Sequence, residues 1–212
     1  MPEHIICGDD AGQKLATSAE SKDAPSMNIN DATRLYNEFG QSLNPDFESL
    51  AGMFRQLSIE APLSNSNYLH ALSLTDLLFK HTDMSLNMVT GGTGDGFIGT
   101  LKSSFCSMLK RIKARNGKAR VIVLDGETKL LREWERGEFA GTLEIAEASV
   151  RPHAEVRHFI VGDDDMVRDE EPHDTLTGAS DANNVRANVY FKNKAIARVF
   201  SSRFDAMWDA VK

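Results

Sequence analysis

"VRHFIVGDDDMVRDEEPHDT", residues 156–175, decides how this chain is read. An apolar run is followed by a cluster of aspartates and then by MVRDEE, and six carboxylates fall within positions 163–171. Short apolar runs bounded by turn formers predict strands, so Gly162–Asp165 becomes the turn of a hairpin. With strand alternation, Val156, His158, Ile160 and Gly162 share one face, and Arg157, Phe159 and Val161 the other. Both faces carry apolar residues, which predicts a central strand. A histidine there is at least partly buried and needs partners.

Working outward, "LNMVTGG" (86–92) predicts a buried strand ending in glycine. "FIGTLKSSFCSMLKRIKARNG" (97–117) predicts one amphipathic helix, with Phe97, Leu101, Phe105, Met108 and Ile112 on one stripe. Its cations gather in the last turns and Asn116-Gly117 ends it. "ARVIVLD" (119–125) is the next buried strand. Strand, helix and strand in this order make a right-handed parallel β-α-β unit. A helix over 127–140 and strands in "TLEIAEA" and "ANVYFK" follow the same logic. The last helix, 194–211, places Ile196, Val199, Phe200, Phe204, Met207, Trp208 and Val211 on one face.

The lead-in differs. Residues 1–29 are mostly small and polar and predict a flexible arm. Residues 30–81 predict two or three helices, as in "NPDFESLAGMFRQL", where Phe47, Leu50, Phe54 and Leu57 recur at helical spacing. They carry no recognisable chemistry and read as a cap or an oligomerisation element. The expected organisation is α/β: a mixed sheet flanked by helices over 82–212, preceded by a small α-helical region.

The chain has 212 residues, 41% hydrophobic and 26% charged, which suits one globular domain or a domain with a subdomain. A net charge of −7 argues against broad binding to nucleic acid, though a local basic face stays open. No apolar stretch approaches the roughly 20 residues of a membrane helix, and the first residues lack the pattern of a signal peptide. Cys7 and Cys106 make no disulfide framework, so a cytoplasmic setting is expected.

Three groups of residues carry possible chemistry. "TGGTGDG" (90–96) lies between a strand and a helix, and Gly91, Gly92, Thr93 and Gly94 would let backbone N–H groups approach an anion. The stretch is neither a Walker A nor a proper GxGxxG, and Asp95 would repel a phosphate. The acidic group from Asp163 to Glu171 reads either as a hard-cation site or as a solvated turn. Adding His173 gives no known metal spacing. His158 reads as a structural histidine or a site residue, and Arg168 as a counter-ion or a phosphate anchor. Nothing in the sequence calls for a cofactor or a resident metal.

The order of "LNMVTGG", "ARVIVLD", "VRHFIVGDDDMVRDEEP" and "ANVYFKNKAIARVFSSRFDAMWDAV" resembles one copy of the phospholipase D-like superfamily repeat, over about residues 82–212. That resemblance implies a phospholipase D-like mixed sheet and a strand bearing HxKxxxxD. One register puts Val156 at the nucleophilic histidine, His158 at the lysine and Asp163 at the aspartate. The other puts His158 at the histidine, Ile160 at the lysine and Asp165 at the aspartate. Neither gives the three together, and an isoleucine or valine can neither attack phosphorus nor neutralise phosphate.

The resemblance therefore implies a non-catalytic binding or regulatory module in defence or signalling, perceiving a phosphate-bearing ligand. It implies a homodimer as well, because single-copy members pair their half-sites. A protein partner stays open. The alternatives are a divergent phosphodiesterase or nuclease using His158, Asp163, Arg168 and Glu170, and a nucleotide-binding Rossmann-like protein using the 90–96 loop.

Overall fold

A computed structural model describes residues 33, 34, 36, 45–65, 67–91, 94–124, 128–148, 156–173 and 185–212. The 1–29 arm, Gly92 and Thr93 lie outside them. The lead-in supplies helices α1 (Pro45–Gln56) and α2 (Tyr68–His81), with strand β1 (Leu63–Asn65) between them. The parallel unit follows: β2 (Ser85–Thr90), α3 (Gly94–Thr100), α4 (Lys102–Ala114) and β3 (Lys118–Leu124). Next come α5 (Lys129–Arg136), β4 (Leu143–Ala148), β5 (Phe159–Gly162), β6 (Met166–Glu170), β7 (Ala187–Tyr190) and α6 (Lys194–Val211).

The strands form one mixed sheet in the order β1-β7-β6-β5-β2-β3-β4. β2, β3 and β4 run parallel, and every other pairing is antiparallel. The α/β architecture of a mixed sheet flanked by helices is thus the one expected. It is not the doubly wound parallel sheet that the Rossmann-like alternative requires. β5 is the seam, paired to β2 on one side and β6 on the other.

Each face of the sheet has its own core. On one, Met88, Val121, Ile160, Met166 and Val189 pack beneath Leu72, Leu77 and Phe79 of α2 and Phe105, Met108 and Ile112 of α4. On the other, Val89, Ile122, Phe159, Val161 and Val167 pack beneath Phe204 and Trp208 of α6. Asn67 caps α2 by accepting from the His70 N–H at 2.8 Å, and Asn193 caps α6 by accepting from the Ile196 N–H at 3.0 Å. Arg111 donates to the carbonyls of Phe79, Lys80 and Thr82 at the end of α2, tying α4 to it.

Four expectations need correction. The stretch 30–81 is not wholly helical, because Leu63–Asn65 joins the sheet edge beside β7. The single helix over 97–117 is two helices, interrupted at Leu101 with φ −93° and ψ 16°. Three glycines in 94–99 weaken helical propensity ahead of that break. On α6, Val199 is 66% exposed rather than buried with Phe204. β5 begins only at Phe159, so the alternation does not reach Val156, which packs with the α6-side core. No helix among the described residues is long and apolar enough to cross a membrane.

Candidate anion and metal site

Strand β6 builds the site. Its alternation puts Met166, Arg168 and Glu170 on the α2–α4 side and Val167 on the α6 side. Ile160 of β5 pairs with Arg168, and Met88 of β2 pairs with Ile160. Arg168 and Glu170 therefore rise beside a row of apolar neighbours. They line a cavity at the carboxyl end of β2, together with Gly91, His158 and His173. Tyr68 and Phe97 close it from the helical layer.

Glu170 is the hub. Its Oε2 pairs with Arg168, and its Oε1 receives His173 Nε2. His158 Nδ1 lies 3.5 Å from the same Oε1, and the two imidazoles meet edge-on with centroids 5.1 Å apart. Burial by itself would raise the Glu170 carboxyl, but the Arg168 charge and hydrogen bonds from His158 and His173 outweigh it. They hold Glu170 well below the usual carboxylate range. Nearby, burial and the Glu170 charge push the Tyr68 hydroxyl up to about 12, against a smaller opposite pull from Arg168. Tyr68 is thus a neutral hydrogen-bonding group at ordinary pH.

Two side chains stay incomplete. Arg168 Nε and Nη2 and His158 Nε2 are buried and have no hydrogen-bond partner among the described residues. Arg168 also lies over the Phe97 ring, with its Cζ 5.8 Å from the centroid. Gly91 is placed for closeness: a Cβ there would stand 2.8 Å from His158 Cε1 and 2.9 Å from Nε2. Gly91 therefore meets the cavity through its missing side chain. Gly94 opens α3, and the rest of the expected glycine cradle lies outside the described residues.

Asp163, Asp165 and Asp169 do not converge on one point, nor are they merely solvated. Asp163 accepts the backbone N–H groups of Asp83, Met84 and Ser85 at 2.7–3.2 Å, at the opposite end of β5 from the cavity. Asp165 pairs with Lys192 at 2.6 Å, and Asp169 takes Arg157 in a two-pronged pair at 2.8 Å. Of the residues expected to act together, His158, Arg168 and Glu170 do meet. Asp163 does not join them, because the length of β5 separates the turn from the cavity. Tyr68 enters the site without having been expected there, and His173 joins it although its spacing from the acidic group matches no known metal pattern. Strand period identifies neither, since His173 follows the end of β6 and Tyr68 lies on a helix distant in sequence.

No protein-family model and no curated protein matches the chain. Solved structures do. One is TrmBL2, an archaeal chromatin protein, with TM-score 0.52 and 14% identity over 87% of this chain and 67% of that one. The likeness is one of fold. Others are Nuc of Salmonella typhimurium, a phospholipase D family member, and the phosphatidylserine synthase of Haemophilus influenzae Rd KW20. Nuc gives TM-score 0.46 and 16% identity over 70% of this chain and 95% of that one. The synthase gives TM-score 0.47 and 14% identity over 67% of this chain and 36% of that one.

Proposed function

We propose that the chain is a phospholipase D-like binding module that holds a phosphate-bearing ligand in the Arg168 cavity and does not hydrolyse it. The observation that carries this reading is the buried donor edge of Arg168, unpartnered among the described residues, in the cavity it shares with His158 Nε2. A buried polar group left unsatisfied costs about 1–3 kcal/mol, and a charged one more. An oxyanion accepting from the guanidinium offsets that cost, and the planar fork of arginine suits phosphate.

The non-hydrolytic half rests on the residues at the superfamily's reacting positions. In one register Val156 stands for the nucleophile, and it packs with the α6-side core. In the other, Ile160 stands for the lysine, and it lines the cavity as an aliphatic wall. A regulatory role follows from binding without turnover. The phosphate could belong to a small molecule or to a nucleic-acid backbone; TrmBL2 is described as binding DNA. Self-association as a symmetric pair, in a cytoplasmic setting, belongs to the same reading. Sedimentation at micromolar concentration checks the pair.

Calorimetric titration with inorganic phosphate, a mononucleotide and a short oligonucleotide tests the proposal and separates the sources. One-to-one binding is expected, weakened at least about tenfold by Arg168→Gln through loss of a charge-assisted bond. It should weaken in Gly91→Ala too, where the new methyl displaces His158. No binding by any of the three ligands overturns the reading.

A second reading has its own observation. His158 Nδ1 faces Glu170, an arrangement in which a carboxylate orients an imidazole for proton transfer. A divergent phosphodiesterase would use it. Phosphodiester turnover that His158→Ala abolishes would establish that enzyme and remove the non-hydrolytic claim.

A further inference from the structure

We propose that His158, Glu170 and His173 hold one divalent transition-metal ion, with zinc the best match to the donors, and that this ion helps complete the cavity's phosphate site. The ion site stands on its own geometry; its coupling to phosphate rests on the reading under Proposed function. It departs from the expectation that no metal is bound.

Two imidazoles and one carboxylate form a borderline-soft donor set that suits zinc better than magnesium or calcium. One potential ligand atom from each residue lies within 4.8 Å of the others. Metal–ligand bonds of roughly 2.0–2.2 Å place neighbouring ligand atoms about 3–3.5 Å apart. His158 Nδ1 already stands 3.5 Å from Glu170 Oε1, and His173 Nε2 meets the same oxygen. Small rotations of the two rings close the remaining gap. Arg168 grips the other carboxylate oxygen and fixes how Glu170 presents Oε1, as outer-shell partners do at metal centres. Three protein ligands leave a fourth position for solvent or an anion.

Without an ion, a neutral His158 that offers its Nδ1–H to Glu170 leaves its Nε2 lone pair buried with no donor among the described residues. With an ion on Nδ1, the proton resides on Nε2. That atom then becomes a donor, alongside the Arg168 N–H groups that have no partner among the described residues. The metal thus adds positive charge to the cavity and turns His158 into part of the anion cradle.

The test uses the full chain, stripped with a chelator and then titrated with zinc, and separately with cobalt(II) as a spectroscopic probe. One equivalent of zinc should bind, and cobalt should give the intense visible bands of a four-coordinate site. His173→Ala should weaken zinc by more than about a hundredfold, beyond the loss of an outer-shell partner. His70→Gln should change nothing, because His70 packs edge-on against Phe47 outside the cavity. Glu170→Gln risks the fold, so His173→Ala, at a side chain 16% exposed, is the deciding variant once circular dichroism shows it folded. Absence of stoichiometric zinc, or zinc binding indifferent to both His158→Ala and His173→Ala, overturns the ion site.

Phosphate titrated into zinc-loaded and stripped protein separates the two proposals. Tighter binding in the loaded form supports the coupling, and equal binding overturns it. Phosphate bound without any zinc affinity removes the ion and leaves the anion site. Zinc bound without phosphate does the reverse.

Discussion

Arg168 and Glu170 stand two positions apart on one face of β6 and pair with each other while only 3% and 9% of their side chains are exposed. A buried pair of this kind is costly to break from one side. Glu170→Ala leaves a guanidinium in the core without its counter-charge and should cost about 3–5 kcal/mol. The double change Arg168→Met with Glu170→Leu should cost far less, because no buried charge is left over. Urea unfolding of the three proteins checks this. Equal losses would mean that the pair is solvated rather than buried.

Asp163 should matter to stability and not to the cavity. Its carboxylate accepts three backbone N–H groups at the entrance to β2, and its own N–H donates to the Ser85 carbonyl at 2.9 Å. It does so from a left-handed backbone with φ 49°, which aspartate tolerates better than most residues. Asp163→Ala should lose about 2–3 kcal/mol, the worth of bonds to a charged acceptor. Asp163→Asn should lose less, because Oδ1 takes most of these bonds. Phosphate affinity should be unchanged in both, and a large drop would place Asp163 in the site after all.

Trp208 anchors the far face of the sheet. It stacks on Phe204 at 5.6 Å, and Arg120 lies over the Phe204 ring with its Cζ 4.9 Å from the centroid. Trp208→Ala should cost roughly 3–5 kcal/mol. An unchanged melting temperature would show that α6 does not depend on this contact.

Alkaline and acid pH should act through different cavity groups. Tyr68 has a raised value of about 12 against 10.0 for an ordinary tyrosine. Its contribution is fully present below about pH 10, where the unfolded hydroxyl is still protonated, and is lost as pH rises through about 12. That shift corresponds to about 3 kcal/mol across the window. Tyr68→Phe should flatten this part of the stability profile; an equally steep alkaline loss in the variant would exonerate Tyr68. Glu170 has the opposite sign. Its depressed value makes its contribution present above the normal carboxylate range and lost only as pH falls through its folded value.

Much of this was legible in the sequence, for stated reasons. The parallel unit showed because buried strands and an amphipathic helix alternate there, and α6 showed because Phe204 and Trp208 recur at helical spacing. Arg168 and Glu170 could be placed on one face from strand period alone. β1 could not, because three residues carry no usable period and the strand exists only through pairing with β7. The edge contact between His158 and His173, and the approach of Tyr68, depend on tertiary folding that no local pattern encodes.

The pairing of Leu63 with Val189 joins segments more than a hundred residues apart, whereas β2, β3 and β4 are neighbours along the chain. Closing so long a loop is entropically slow, so local pairings form earlier in folding. Tyr68 lies just past β1 and forms part of the cavity wall, so the cavity should be among the last parts of the molecule to assemble. Pulsed hydrogen exchange during refolding should then protect the amides of Val121 and Ile122 well before that of Val189. Simultaneous protection would mean that the edge and the parallel unit fold as one cooperative block.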